Sequence, residues 1–98
     1  MIYVDEIAIY PNAKQPFDSG SCHLFSDADN TELIEFAKKI RLNPSWLQHD
    51  SIFDHFDLTK GKRYQAIKAG AKSVTMKEMI ELYRKKLQII SSSRKSGI

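Results

Sequence analysis

The side chains able to do chemistry crowd into one stretch, His55-Phe56-Asp57-Leu58-Thr59-Lys60-Gly61-Lys62-Arg63. Nine positions hold an imidazole, a carboxylate, a helix-start residue and three basic residues. On a strand His55 and Asp57 point the same way, because side chains alternate with a period of two. Histidine titrates near neutral pH, so an aspartate that orients it makes a general acid or base. With His23 as a second imidazole, the set suits phosphodiester chemistry, and Lys62 or Arg63 would steady the developing charge. The plainer alternative is a hydrogen-bonded His55–Asp57 pair that anchors a loop.

Two further chemistries use the same residues. Thr59 is placed to cap a helix, which puts Lys62 and Arg63 in its first turn. A helix N-terminus carries free N–H groups and partial positive charge, so cations there are unfavourable unless an anion is near. A phosphate or carboxylate would satisfy both the N–H groups and the basic side chains; neutralisation by Asp54 and Asp57 is the competing account. A divalent metal is the other option. His23, His55, Asp57, Asp27 and Asp5 supply imidazole and carboxylate donors for zinc, manganese or iron. Cys22 neighbours His23, but neighbours on a strand face opposite ways, so Cys22 reads as a buried thiol and not a nucleophile. Trp46 reads as core or pocket wall, with base stacking as its functional alternative. His49 reads as a solvated loop residue.

The elements that must position these groups follow from local signals. Residues 2–10 open with β-branched and aromatic residues, as a strand does, with Asp5 and Glu6 near its end. Pro11 to Gly20 is rich in turn formers, and a loop of that length is often functional. Ser21 to Ser26 is a second short strand. Asp29 with Glu32 three residues on forms a capping box, with Asn30 as competing cap. The following helix carries Leu33, Phe36, Ala37 and Ile40 on one face and ends before Asn43-Pro44. Ser45 to His49 is a helical turn or a strand, and Asp50 to Asp54 a surface loop. Phe56 and Leu58 lie on a brief extended segment. The helix after Thr59 faces Tyr64, Ile67 and Ala71 inward and stops at Gly70. Lys72 to Val74 is a strand candidate. Thr75 with Glu78 caps a third helix, whose apolar stripe is Met76, Met79, Ile80, Tyr83, Leu87 and Ile90.

Strands alternating with helices imply an α/β domain with a small, partly parallel sheet and about three helices. Residues 1–90 form one domain, and 91–98 a disordered tail. In such sheets ligands gather at the carboxyl ends of parallel strands. Asp5, His23 to Asp27, and His55 with Asp57 each stand beside a strand end, so the expected pocket joins them with Trp46, Thr59, Lys62 and Arg63.

Composition sets the outer limits. The chain has 98 residues, 42% hydrophobic and 28% charged, with a net charge of +3. That is a globular composition, and the charge permits an anionic partner without demanding one. One cysteine excludes an internal disulfide or a four-thiolate zinc site and points to a reducing, cytoplasmic setting. Asp5 and Glu6 stand where a signal peptide would be basic, and no apolar run approaches membrane-spanning length. The basic residues Lys77, Arg84, Lys85, Lys86, Arg94 and Lys95 leave nucleic-acid binding open, although Glu78 and Glu81 interrupt them and a solvated face accounts for them as well.

The order Tyr3-Val4-Asp5, His23-Leu24-Phe25-Ser26-Asp27 with Glu32-Leu33 and Phe36-Ala37, Trp46-Leu47-Gln48, His55-Phe56-Asp57-Leu58-Thr59 with Lys62-Arg63, and Gly70-Ala71 resembles domain-of-unknown-function family 4031. These are small proteins of bacteria and their phages. The resemblance spans roughly residues 3–80. This chain departs from the pattern at Glu6, where a second aspartate is usual, and at Gly61, where a serine is usual. The resemblance implies a compact α/β domain with a shared polar site and supplies no reaction.

The expectation is a small domain that binds a phosphate-bearing ligand such as a nucleotide, with phosphoester hydrolysis or transfer at His23, His55 and Asp57. Asp5, Asp27, Trp46, Thr59, Lys62 and Arg63 complete the pocket. The alternatives are a non-catalytic nucleic-acid or protein-interaction module, and a protein that sequesters a nucleotide without turnover.

Overall fold

A computed structural model of the chain describes residues 1–49 and 53–96, with side chains placed to residue 88. The order of elements is β1 (Ile2–Val4), β2 (Cys22–Ser26), α1 (Asn30–Lys39), a 3-10 turn (Pro44–Trp46), β3 (His55–Leu58), α2 (Lys60–Lys68), β4 (Lys72–Ser73) and α3 (Met76–Ser96). The strands form one sheet in the order β3-β2-β1-β4. The β1–β2 and β2–β3 pairs are antiparallel, and β1–β4 is parallel. The expected small α/β domain with a partly parallel sheet and three helices is therefore present.

Strand alternation sends two sets of side chains to two faces. Ile2, Val4, Cys22, Leu24, Phe56 and Leu58 pack against Leu33, Phe36 and Ala37 of α1, Ile40 at its C-cap, and Ala66 of α2. Tyr3 and Phe25 point the other way, onto Phe53, Val74 and the α3 residues Met79, Leu82 and Tyr83. That second core is aromatic: Tyr3 stacks on Phe25 at 5.6 Å, Phe25 meets Phe53 at 5.0 Å, and Phe53 meets Tyr83 at 6.4 Å. Phe53 is thus buried and not part of a surface loop; Asp50, Ser51 and Ile52 of that expected loop lie outside the described residues.

Helix ends follow the local chemistry with two differences. Asp29 caps α1 by accepting from the Glu32 N–H at 2.9 Å. The Glu32 carboxylate does not close the box; it accepts from Ser26 Oγ and from the amino group of Met1. The helix also stops earlier than Asn43-Pro44. Arg41 turns left-handed at φ 61°, the Leu42 N–H reaches the Ala37 carbonyl and the Arg41 N–H that of Lys38. This is a Schellman end made without glycine, and burial of Leu42 completes it. Thr75 and Glu78 do form the full reciprocal box at the start of α3, 3.1 Å each way.

Two helix faces differ from their periodicity. In α2, Tyr64 and Ile67 are exposed, and Ala66 is the buried residue along with Ala71 just beyond the helix. A small side chain lets the helix backbone approach the sheet closely, which turns the bulkier residues outward. In α3, Met79 and Tyr83 pack inward together with Leu82, while Met76, Ile80 and Leu87 remain exposed. The side chain of Ile90 lies outside the described residues. Helical backbone continues to Ser96, past Ser91 where a disordered tail is expected.

Candidate functional site

The aromatic face of the sheet turns polar at one end. Asp5 follows β1 on the same face as Tyr3, and its N–H donates to the His23 carbonyl at 3.2 Å. His23 pairs with Asp57 across β2–β3, and Phe25 pairs with His55. Four polar residues from three neighbouring strand segments therefore share one face. They converge because antiparallel neighbours place them side by side, and not because parallel strands end together.

The geometry is close. The His23 and His55 rings meet edge to face with centroids 4.8 Å apart. One potential ligand atom from each of His23, His55 and Asp57 lies within 4.8 Å of the others. Buried Asp5 holds His23 with both oxygens, Oδ1 accepting from the His23 backbone N–H at 2.6 Å and Oδ2 standing 2.7 Å from Nδ1. His55 Nε2 is 3.7 Å from Asp57 Oδ1, and its Nδ1 is 3.4 Å from the Phe53 carbonyl. The Gln48 side-chain amide donates to Asp57 Oδ2. Tyr10 meets the His23 ring edge-on at 5.7 Å.

Beside this cluster lies a cleft of about 720 Å³, walled by Pro16, Phe17, Leu42, Trp46 and Leu47, with Gln48, Asp57, Thr59 and Lys62 as polar lining. Trp46 is 58% exposed, so it is cleft wall and not core. Asp57 and Gln48 belong to both the cleft and the polar cluster. A smaller hollow of about 90 Å³ opens on the other side of the imidazoles, between His23, His55, Phe53, Met79 and Tyr83.

The structure brings together His23, His55, Asp57 and Asp5, and it sets Trp46, Thr59 and Lys62 around the adjoining cleft. It does not bring Asp27 to them. Asp27 follows the far end of β2, where it accepts from Tyr3 Oη at 3.1 Å and from the Met1 amino group at 2.8 Å. Burial pushes its carboxyl pKa up, but those two donors outweigh burial and hold it below the ordinary value.

Lys62 and Arg63 do not pair with Asp54 or Asp57; each donates to a backbone carbonyl. Lys62 Nζ donates to the Ile40 carbonyl at 2.6 Å, so the ammonium sits at the negative C-terminal end of α1. Arg63 Nε donates to the Asp5 carbonyl at 2.9 Å and Nη2 to Ser73 Oγ at 2.8 Å. Arg63 thereby fixes the backbone that presents the Asp5 carboxylate. Asp54 pairs instead with Asn30 and His49, and His49 is exposed.

Cys22 is fully buried on the opposite face, and burial first, then the Asp5 charge, pushes its thiol up to about 12. It takes no part in the cluster. Sequence reasoning missed Gln48, Tyr10 and the cleft walls Pro16, Phe17, Leu42 and Leu47. Gln48 acts through a bridge that exchanges both backbone bonds with His55, at 2.8 and 2.9 Å, a pairing no local pattern encodes. The available signals were the turn-rich loop holding Pro16 and Phe17, and the Trp46-Leu47-Gln48 motif within the family resemblance.

No helix among the described residues is long and apolar enough to cross a membrane. A search of curated proteins and of solved structures finds no match to this chain. A family model described as a protein of unknown function, DUF4031, matches residues 2–86 of the 98. With its fold and its polar cluster falling almost wholly inside the matched span, the chain belongs to the DUF4031 family.

Proposed function

We propose that the chain binds a small phosphate-bearing ligand of nucleotide type in the cleft beside Trp46, and that His23, His55 and Asp57 act on its phosphoester. The observation that carries this is the position of Asp57. It lines the cleft and also stands among the two imidazoles, so a ligand in the cleft presents one end to the cluster. The cleft volume lies in the range of small-molecule sites, roughly 300–1,000 Å³. Trp46 and Phe17 offer aromatic surface to a base, and base stacking on such side chains contributes about 1–3 kcal/mol. Thr59 and Lys62 form the polar end, at the start of α2. Lys62 already serves the Ile40 carbonyl, so hydrogen bonds from the cleft and the cluster must carry much of the anion binding.

Trp46 is the single tryptophan of the chain and reports directly on the cleft. Nucleoside mono- and diphosphates, cyclic nucleotides and a dinucleotide, titrated with and without divalent metal, should quench or shift its fluorescence saturably below millimolar concentration. One of them should also yield product, and His55→Ala should abolish that turnover with the melting temperature nearly unchanged. No fluorescence response from any of them sinks the reading. Saturable binding with no product in any condition leaves a sequestering protein instead of an enzyme. A single-stranded oligonucleotide, included in the same titration, separates the nucleic-acid alternative. Salt-sensitive binding lost on neutralising Arg84, Lys85 and Lys86 would favour it.

A further inference from the structure

We propose that His23, His55 and Asp57 form a binding site for one divalent transition-metal ion of the zinc class, held by two imidazole nitrogens and one carboxylate oxygen. The first observation is spacing. The three donor atoms lie within 4.8 Å of one another. Zinc bonds to nitrogen and carboxylate oxygen measure about 2.0–2.2 Å, so donors around a tetrahedral ion stand roughly 3.3 Å apart. Closing that difference shortens any one separation by at most about 1.5 Å, shared between two side-chain ends, and His55 Nε2 already stands 3.7 Å from Asp57 Oδ1.

The second observation is independent of spacing and concerns what lies behind each ligand. Asp5 holds His23 at Nδ1, so coordination would run through Nε2. The Phe53 carbonyl lies on the Nδ1 side of His55, whose Nε2 faces Asp57. Gln48 holds Asp57 at Oδ2 and leaves Oδ1 toward His55. All three candidate ligands thus have a separate partner on the atom turned away from the centre. That is the outer shell of a metal site: it fixes the tautomer and ring orientation and strengthens the imidazole as a donor. Asp5 is itself positioned, since Arg63 grips its carbonyl.

The donor set also selects the ion. Two imidazoles and one carboxylate suit zinc and its first-row neighbours, whereas magnesium and calcium prefer all-oxygen sites. Cys22 faces the other core, so no thiolate contributes. Three protein ligands leave a fourth position open, as catalytic sites do and structural ones do not. Asp57 places that position next to the cleft. This site goes beyond the ligand reading and does not depend on it. It narrows the five donors that the sequence offers a metal to three, without Asp27 and Asp5.

The test is a titration of the metal-stripped full chain with Zn²⁺ alone by calorimetry and with Co²⁺ alone by visible absorption, both without nucleotide. One ion per chain should bind with a dissociation constant below about 1 µM, or roughly 8 kcal/mol. The Co²⁺ form should show the strong visible bands of a four-coordinate ion and lack a thiolate charge-transfer band. His55→Ala and Asp57→Asn should each weaken binding by at least about 100-fold. Asp5→Asn should weaken it by about 10- to 100-fold, with the Co²⁺ bands retained. His49→Ala should leave it unchanged. Absence of a one-to-one site in the wild-type chain, or a site of equal affinity in His55→Ala, overturns the proposal. The wild-type Co²⁺ spectrum stands even if a variant fails to fold. Because metal and nucleotide are titrated separately, failure of one reading is distinguishable from failure of the other.

Discussion

A carboxylate taken out of water needs hydrogen bonds in place of its hydration. Asp5 finds them in the backbone N–H and the ring of one residue, His23. The two side chains are therefore locked together. Arg63 and Lys62 illustrate the complementary case, in which cations settle on carbonyl oxygens that strand and helix ends leave open. Sequence could not show this. Ile40 lies 22 residues from Lys62, and Asp5 lies 58 from Arg63, so the partners come from the fold and not from the neighbourhood. Burial of Cys22, in contrast, was legible from strand alternation beside His23. Its thiol is raised from 9.0 to about 12 in the folded chain. Between those values the unfolded state loses the proton and the folded state keeps it, so stability falls as pH rises through that window, by up to about 1.4 kcal/mol per pH unit from this group. At pH 8 the native thiol should react with an aromatic disulfide reagent at least about 100-fold more slowly than in denaturant. Equal rates would show that Cys22 is accessible.

At the level of elements, helix ends were the most readable part of the chain. Asp29, Thr59 and Thr75 all cap where their types predict, because a cap needs only residues within one turn. Helix α1 closes on Arg41 and α2 on Gly70, and the two ends are alike in hydrogen bonding but not in residue type. Gly70 has φ 113°, and a Cβ there would meet nothing within 4 Å, so only backbone strain opposes a side chain. Gly70→Ala should therefore cost about 1–2 kcal/mol. Arg41→Gly should do the reverse and stabilise by up to about 1 kcal/mol, since a non-glycine residue already occupies the left-handed region there. Urea denaturation checks both; the same sign of change in the two variants would contradict the account. Periodicity misled in α2, where the burial of Ala66 decides which face turns inward. A pattern of large apolar residues cannot report a helix seated by a small one.

For the molecule as a whole, the sheet order was the least readable feature. Which strands become neighbours depends on contacts far apart in sequence, and short strands carry little register information. The antiparallel β1–β2–β3 run nevertheless decides the site, because it lays Asp5, His23 and Asp57 in one row. The second core shows the same dependence. Phe53 joins Phe25 and Tyr83 and receives Lys86 Nζ 4.6 Å above its ring. Phe53→Ala should cost about 3–5 kcal/mol. That is a large share of the roughly 5–15 kcal/mol that holds a domain of this size together. The melting temperature should fall by more than about 10 °C in a circular dichroism melt. A fall below about 5 °C would mean that α3 is not seated on Phe53.

Sheet order has one more effect. β3 and β4 are the two margins of the sheet, and a margin strand with open amides is a template for another chain. β4 is two residues long, too short to serve as one. β3 is longer, but at His55 the backbone is already paired outward with Gln48. The polar side chains of His55 and Asp57 also interrupt any apolar stripe along it. The residues proposed to hold an ion and a ligand thus also make β3 a poor template for another strand.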